Sequence, residues 1–90
     1  MKYSVRNTNK FTKDFEKIKS QGKELAKLHK VIITLQDGES LDKSFRNHSL
    51  KGEYEDFMEC HISPDWLLIY RIEGDELALL RTGSHSELFR

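Results

Sequence analysis

YEDFMECHISPDWLLIYRIEGDELALLRT, residues 54–82, decides the fold. Ser63-Pro64-Asp65 and Glu73-Gly74-Asp75 divide it into three runs of strand length, because proline presets φ early in a turn and glycine adopts the backbone that ends one. The runs are Tyr54–Ile62, Trp66–Ile72 and Glu76–Thr82. Alternation along the first puts Met58, Cys60 and Ile62 on one face and Phe57, Glu59 and His61 on the other. In the third it groups Arg81 with Leu77 and Leu79.

Upstream the period changes. Phe11, Phe15 and Ile18 recur at helical spacing from Asn9, with Thr8 or Asn9 as the cap and Gly22 as the stop. Leu25, Leu28, Val31, Ile32 and Leu35 form a second apolar stripe that Asp37-Gly38 ends. His29 reads as a structural residue at the edge of that stripe. Residues 2–6, KYSVR, alternate weakly, as a short strand does. The expected fold is α+β, ordered β-α-α-β-β-β, with a helical hairpin packed on one face of a small, mostly antiparallel sheet. Residues 39–53 show no sustained period, and so long a connection in a small domain is often functional.

The chain has 90 residues, which is the size of one domain, here 1–90. Its single cysteine, Cys60, reads as a small core residue of a reducing compartment. No segment has the apolar length of a signal peptide or of a membrane span, so the expectation is a cytoplasmic protein with no membrane partner. The net charge is zero, but residues 1–30 hold nine Lys/Arg and three acids while the rest holds six basic and twelve acidic residues. Lysines such as Lys13, Lys17 and Lys27 either contact a phosphate backbone or fill solvent faces of the helices.

Three of the four histidines, His48, His61 and His85, fall in the half that holds the long connection, the hairpin and the tail. Imidazoles can both accept and donate protons near neutral pH. Cleavage of RNA needs that pair: a base for the ribose 2′-OH and an acid for the leaving 5′-oxygen, with a cation such as Arg81 against the phosphate. Asp65 near His61 would orient its ring, and Trp66 and Phe89 offer faces for unpaired bases. Each side chain also has a structural reading: His61 as an exposed strand residue, Asp65 as a turn former, Trp66 as core, Arg81 as half of an ion pair. Three histidines and a carboxylate are also zinc-ligand types, but separations of thirteen and twenty-four residues match no compact ligand spacing. The reading is therefore metal-free and without a cofactor.

Three segments add a resemblance: Asn47-His48-Ser49-Leu50-Lys51-Gly52, Glu59 to Tyr70, and Leu80-Arg81-Thr82-Gly83-Ser84-His85-Ser86-Glu87-Leu88-Phe89. In this order the chain resembles the YafQ-like branch of the RelE/ParE superfamily of type II toxins. The resemblance implies a RelE-like fold, messenger RNA endoribonuclease activity on the ribosome and neutralisation by a cognate antitoxin. It also implies an acid–base cluster of His48, His61, Asp65 and His85, a phosphate-contacting Arg81, and Trp66 and Phe89 near the site. Ser49 departs from the proline that relatives often carry there, which loosens the loop at His48. The acidic run Glu53, Glu55, Asp56 and Glu59 departs too, and would repel RNA on its side. The alternative is a catalytically silent RNA- or protein-binding module on the same fold.

Overall fold

The computed structural model describes residues 1–89. Its elements are β1 (Ser4–Asn7), α1 (Asn9–Ser20), α2 (Leu25–Gln36), β2 (His48–Ser49), β3 (Met58–Ser63), β4 (Trp66–Glu73), β5 (Glu76–Gly83) and α3 (His85–Leu88). The five strands form one sheet in the order β1-β5-β4-β3-β2. β1 runs parallel to β5, and the other neighbours are antiparallel.

The helices form where the apolar period places them. The Thr8 side chain accepts the Phe11 N–H at 3.1 Å, closing one of the orphan donors of α1. The same hydroxyl lies 3.0 Å from the Leu79 carbonyl and 3.1 Å from that of Leu80, so the helix start is pinned to β5. Phe11, Ile18, Leu28, Val31 and Leu35 are buried against Cys60, Leu68, Tyr70, Leu77 and Leu79 of the sheet. Cys60 is fully buried, and burial pushes its thiol up to about 12, so it is an unreactive core residue as expected.

The other sheet face is partly covered as well. Leu67, Ile69 and Leu88 make a small second cluster, with Leu50, Phe57 and Leu80 packed against it. The long connection therefore folds over the sheet. It contains two 3-10 turns, Lys43–Phe45 and Gly52–Tyr54, with β2 between them. The second turn takes Tyr54 from the expected first strand of the hairpin, and β3 begins only at Met58.

Three expectations change. A bulge interrupts the β4–β5 ladder: Ile69 pairs with Arg81 and Tyr70 with Leu79, leaving Leu80 as the extra residue. The extra residue reverses the alternation, so Arg81 does not share the face of Leu77 and Leu79. Trp66 is core: it is 3 % exposed, and its Nε1–H donates to Thr82 Oγ1 at 3.0 Å inside the main cluster. It is thus no platform for bases. The segment after Arg81 is not a loose tail but the helical turn α3, closed by a capping box. Ser84 Oγ accepts the Glu87 N–H at 3.2 Å, and Glu87 Oε1 accepts the Ser84 N–H at 2.9 Å. Gly83, at φ +152°, lets α3 fold back this closely, since a Cβ there would lie 3.1 Å from Glu87 Oε1.

The core position of Trp66 has a direct consequence. Trp66→Phe removes the indole donor from Thr82 and some buried volume, and is expected to lower unfolding free energy by about 1–2 kcal/mol in chemical denaturation. Unchanged stability would return Trp66 to the surface.

Candidate active site

Strand pairing assembles the centre of the site. His48 of β2 lies opposite Glu59 of β3, and His61 is two residues along the same face of β3. Period-2 counting places His61 on this face, and the structure agrees. The Glu59 side chain is only 6 % exposed, and its Oε1 lies 3.3 Å from His48 Nε2 and 3.6 Å from His61 Nε2. Glu59 therefore groups with His48 and His61, not with the exposed acidic run of its sequence neighbours. A polar residue facing outward midway along β3 was the available signal.

His48 is held from behind. Its Nδ1 lies 2.7 Å from the Arg46 carbonyl, which can only accept, so Nδ1 carries the hydrogen and Nε2 faces Glu59. Arg46 adopts a left-handed φ of +48°, unusual for a residue with a side chain. Next to it, Tyr70 donates to Asn47 Oδ1 at 2.7 Å, tying the strand to the loop. Burial pushes the Tyr70 hydroxyl up to about 12, which keeps it a donor. These contacts and the β2–β3 pairing position His48 without the proline that Ser49 replaces.

Asp65 does not partner His61. Its Oδ1 accepts the His85 ring Nδ1–H at 2.9 Å and the His85 backbone N–H at 3.1 Å. The β3–β4 turn and the start of α3 meet at the same end of the sheet, which the sequence separation of the two residues conceals. The His85 ring hydrogen bond, then the backbone one, hold the Asp65 carboxyl below the usual carboxylate range. With Nδ1 occupied, Nε2 of His85 is the nitrogen left to exchange a proton.

The rings form a connected arc. Centroids are 6.2 Å apart for His48–His61, 5.7 Å for His61–His85, 6.4 Å for His85–Phe89 and 6.0 Å for Phe89–Tyr54. Phe89 is 43 % exposed. Arg81 forms an ion pair, as its structural reading had it: Asp14 of α1 accepts from its Nε at 2.6 Å and its Nη2 at 3.1 Å. That pairing raises the Arg81 pKa, with a smaller contribution from Tyr54.

Of the three expected lysines, Lys17 reaches the helical turn that bears His85. Lys17 pairs with Glu87 at 2.8 Å, Lys27 lies 3.8 Å from Glu24 on its own helix, and Lys13 is exposed on α1. His29 is exposed and lines an apolar groove of about 530 Å³ between α1, α2 and β1, so the edge-of-stripe reading holds for its position.

The structure also changes the case for a metal. The ligand atoms of His48, Glu59 and His61 all lie within 4.8 Å of one another. Two imidazole nitrogens and a carboxylate oxygen suit zinc or copper, and strand pairing replaces the compact sequence spacing that is missing.

The chain is similar to known proteins over nearly its whole length. The family model described as the bacterial toxin of type II toxin–antitoxin system, YafQ, matches residues 3–90. The mRNA interferase toxin YafQ of Escherichia coli K12 is 30% identical over 87 residues, covering 94% of each chain. A copper-bound mutant toxin from Helicobacter pylori superposes with a TM-score of 0.93 at 47% identity, over 97% of this chain and 99% of that one. The toxin in the E. coli DinJ-YafQ toxin-antitoxin complex superposes with a TM-score of 0.90 at 26% identity, over 100% of both chains.

The brace on α3 titrates. Lys17, then the Ser84 N–H and Gln21, depress the Glu87 pKa from 4.5 to about 2. A depressed carboxylate contributes stability that is complete above pH 4.5 and is lost as pH falls toward 2. The protection of the α3 amides, taken relative to intrinsic exchange at each pH, should fall across that window in the native protein. Glu87→Gln should show weaker protection at neutral pH and a flatter profile; equal profiles would remove Glu87 from the brace.

Proposed function

The chain belongs to the YafQ family of bacterial type II toxins, and from that premise we propose how its site cuts RNA. The protein is an mRNA endoribonuclease toxin that a cognate antitoxin neutralises. We place its action in the cytoplasm, on messenger RNA at the ribosome; among the described residues no helix is long and apolar enough to cross a membrane.

In the proposed reaction the ribose 2′-oxygen attacks the adjacent phosphorus. The 2′-O–P bond forms, the P–O5′ bond breaks, and a cyclic phosphate and a 5′-hydroxyl result. The Glu59-centred pair of His48 and His61 takes the 2′-OH proton. His85 gives a proton from Nε2 to the departing 5′-oxygen while Asp65 fixes its ring. Arg81 offsets charge on the phosphate, and Phe89 stacks on a neighbouring base. The observation that supports this reading is the convergence of three imidazoles and two carboxylates on one surface, with ring centroids 5.7–6.2 Å apart along the histidines.

A second reading has its own observation. A divalent ion on His48, Glu59 and His61 would take the nitrogens that the first reading uses for proton transfer. The two separate cleanly in single-turnover cleavage. His85→Ala and Asp65→Asn should each fall by about 10²- to 10⁴-fold while remaining folded, and Glu59→Gln should fall as well. Activity should survive exhaustive chelation and decline when zinc or copper is added. Loss of activity on chelation with recovery on adding metal would favour the metal reading, and native cleavage by folded His85→Ala would end the proton-transfer one.

A further inference from the structure

α1 and its C-cap present three polar side chains to the C-terminal segment at helical spacing: Asp14, Lys17 and Gln21. Lys17 and Gln21 hold Glu87 of α3 at 2.8 and 3.2 Å. Asp14 holds β5 itself. The β1–β5 ladder ends at Asn7–Leu79, so the edge of β5 beyond it has no strand neighbour. There Asp14 Oδ2 accepts the Thr82 N–H at 3.1 Å and stands in for the missing strand. The same carboxylate grips Arg81 side-on, through Nε and Nη2. The Arg81 and Asp14 side chains are 20 % and 13 % exposed, so the pair is held rather than loosely solvated.

We propose that Asp14 is a positioning residue for RNA cleavage: it fixes the Nε–Nη2 edge of the Arg81 guanidinium and so sets that group's orientation for the scissile phosphate. This rests on the reading of Arg81 as the phosphate contact. The Leu80 bulge turns Arg81 out of the alternation, and an arginine side chain would otherwise sample many rotamers. A bidentate carboxylate selects one orientation in advance of substrate. Asp14 touches no reacting atom in this arrangement and acts through Arg81. It is also a negative charge near a polyanion, so its contribution must lie in turnover rather than in affinity.

That sign gives the test. Asp14→Asn keeps an oxygen for the Thr82 N–H but loses the charge that orients Arg81. In the full chain, single-turnover cleavage of a messenger on programmed ribosomes should slow at least tenfold at saturation, while half-saturation stays the same or tightens. A merely structural defect would weaken both and lower the melting temperature in proportion. Asp14→Glu should recover part of the rate. In an Arg81→Ala background, Asp14→Asn should add little. Native-rate cleavage by Asp14→Asn beside a crippled Arg81→Ala would overturn the inference alone, as would an equal slowing in both backgrounds. Native-rate cleavage by Arg81→Ala would instead overturn the reading of Arg81 on which the inference stands.

Discussion

The Glu59 carboxylate is buried on β3, and the rest of the site follows from that constraint. Removing a carboxylate from water costs several kcal/mol unless polar partners meet it. The partners are His48 and His61, both within ion-pair distance of a single oxygen. His61 arrives on the same strand. His48 must be delivered from a segment with little regular structure, and that delivery accounts for the path of residues 39–53. The two-residue β2, the left-handed turn at Arg46 and the Tyr70–Asn47 hydrogen bond each hold that segment where Glu59 needs it.

The site then consists of two carboxylate–imidazole units of opposite character. The Glu59 unit is built into the sheet, with the second apolar cluster on the same face. The Asp65–His85 unit is exposed and sits where the β3–β4 turn meets α3. The first unit is rigid because both of its strands are paired. The second depends on a four-residue helix that would not persist alone and is secured by its capping box, by Leu88 in the second cluster and by α1. α1 is therefore as much a part of the site as of the core. Its apolar face carries Phe11 and Ile18 into the interior, while Asp14, Lys17 and Gln21 reach the segment that bears Arg81 and His85.

The helices were legible because their apolar residues keep one period and their stops are glycines. The hairpin strands were legible from their turns, and the outward face of His61 from simple alternation. Trp66 was not legible, because β4 is apolar on both faces and period-2 counting cannot say which side is core. Arg81 was misplaced because one extra residue, Leu80, reverses the alternation, and nothing in Leu-Leu-Arg announces a bulge. Asp65 was matched to the wrong histidine because nearness in sequence favoured His61, whereas the end of β5 returns His85 to the same turn. Glu59 was overlooked among exposed acids, since its burial depends on the non-local pairing of β2 with β3.

If side chains transfer the protons while the ribose supplies the nucleophile, the cut messenger must carry the mark of that chemistry. Identifying the chemical ends at the cut is the most direct test. The expected ends are a 2′,3′-cyclic phosphate, or the 3′-phosphate it opens to, facing a 5′-hydroxyl. A 3′-hydroxyl facing a 5′-phosphate would mean that water attacked instead, and would contradict the proton-transfer roles of His48, His61 and His85.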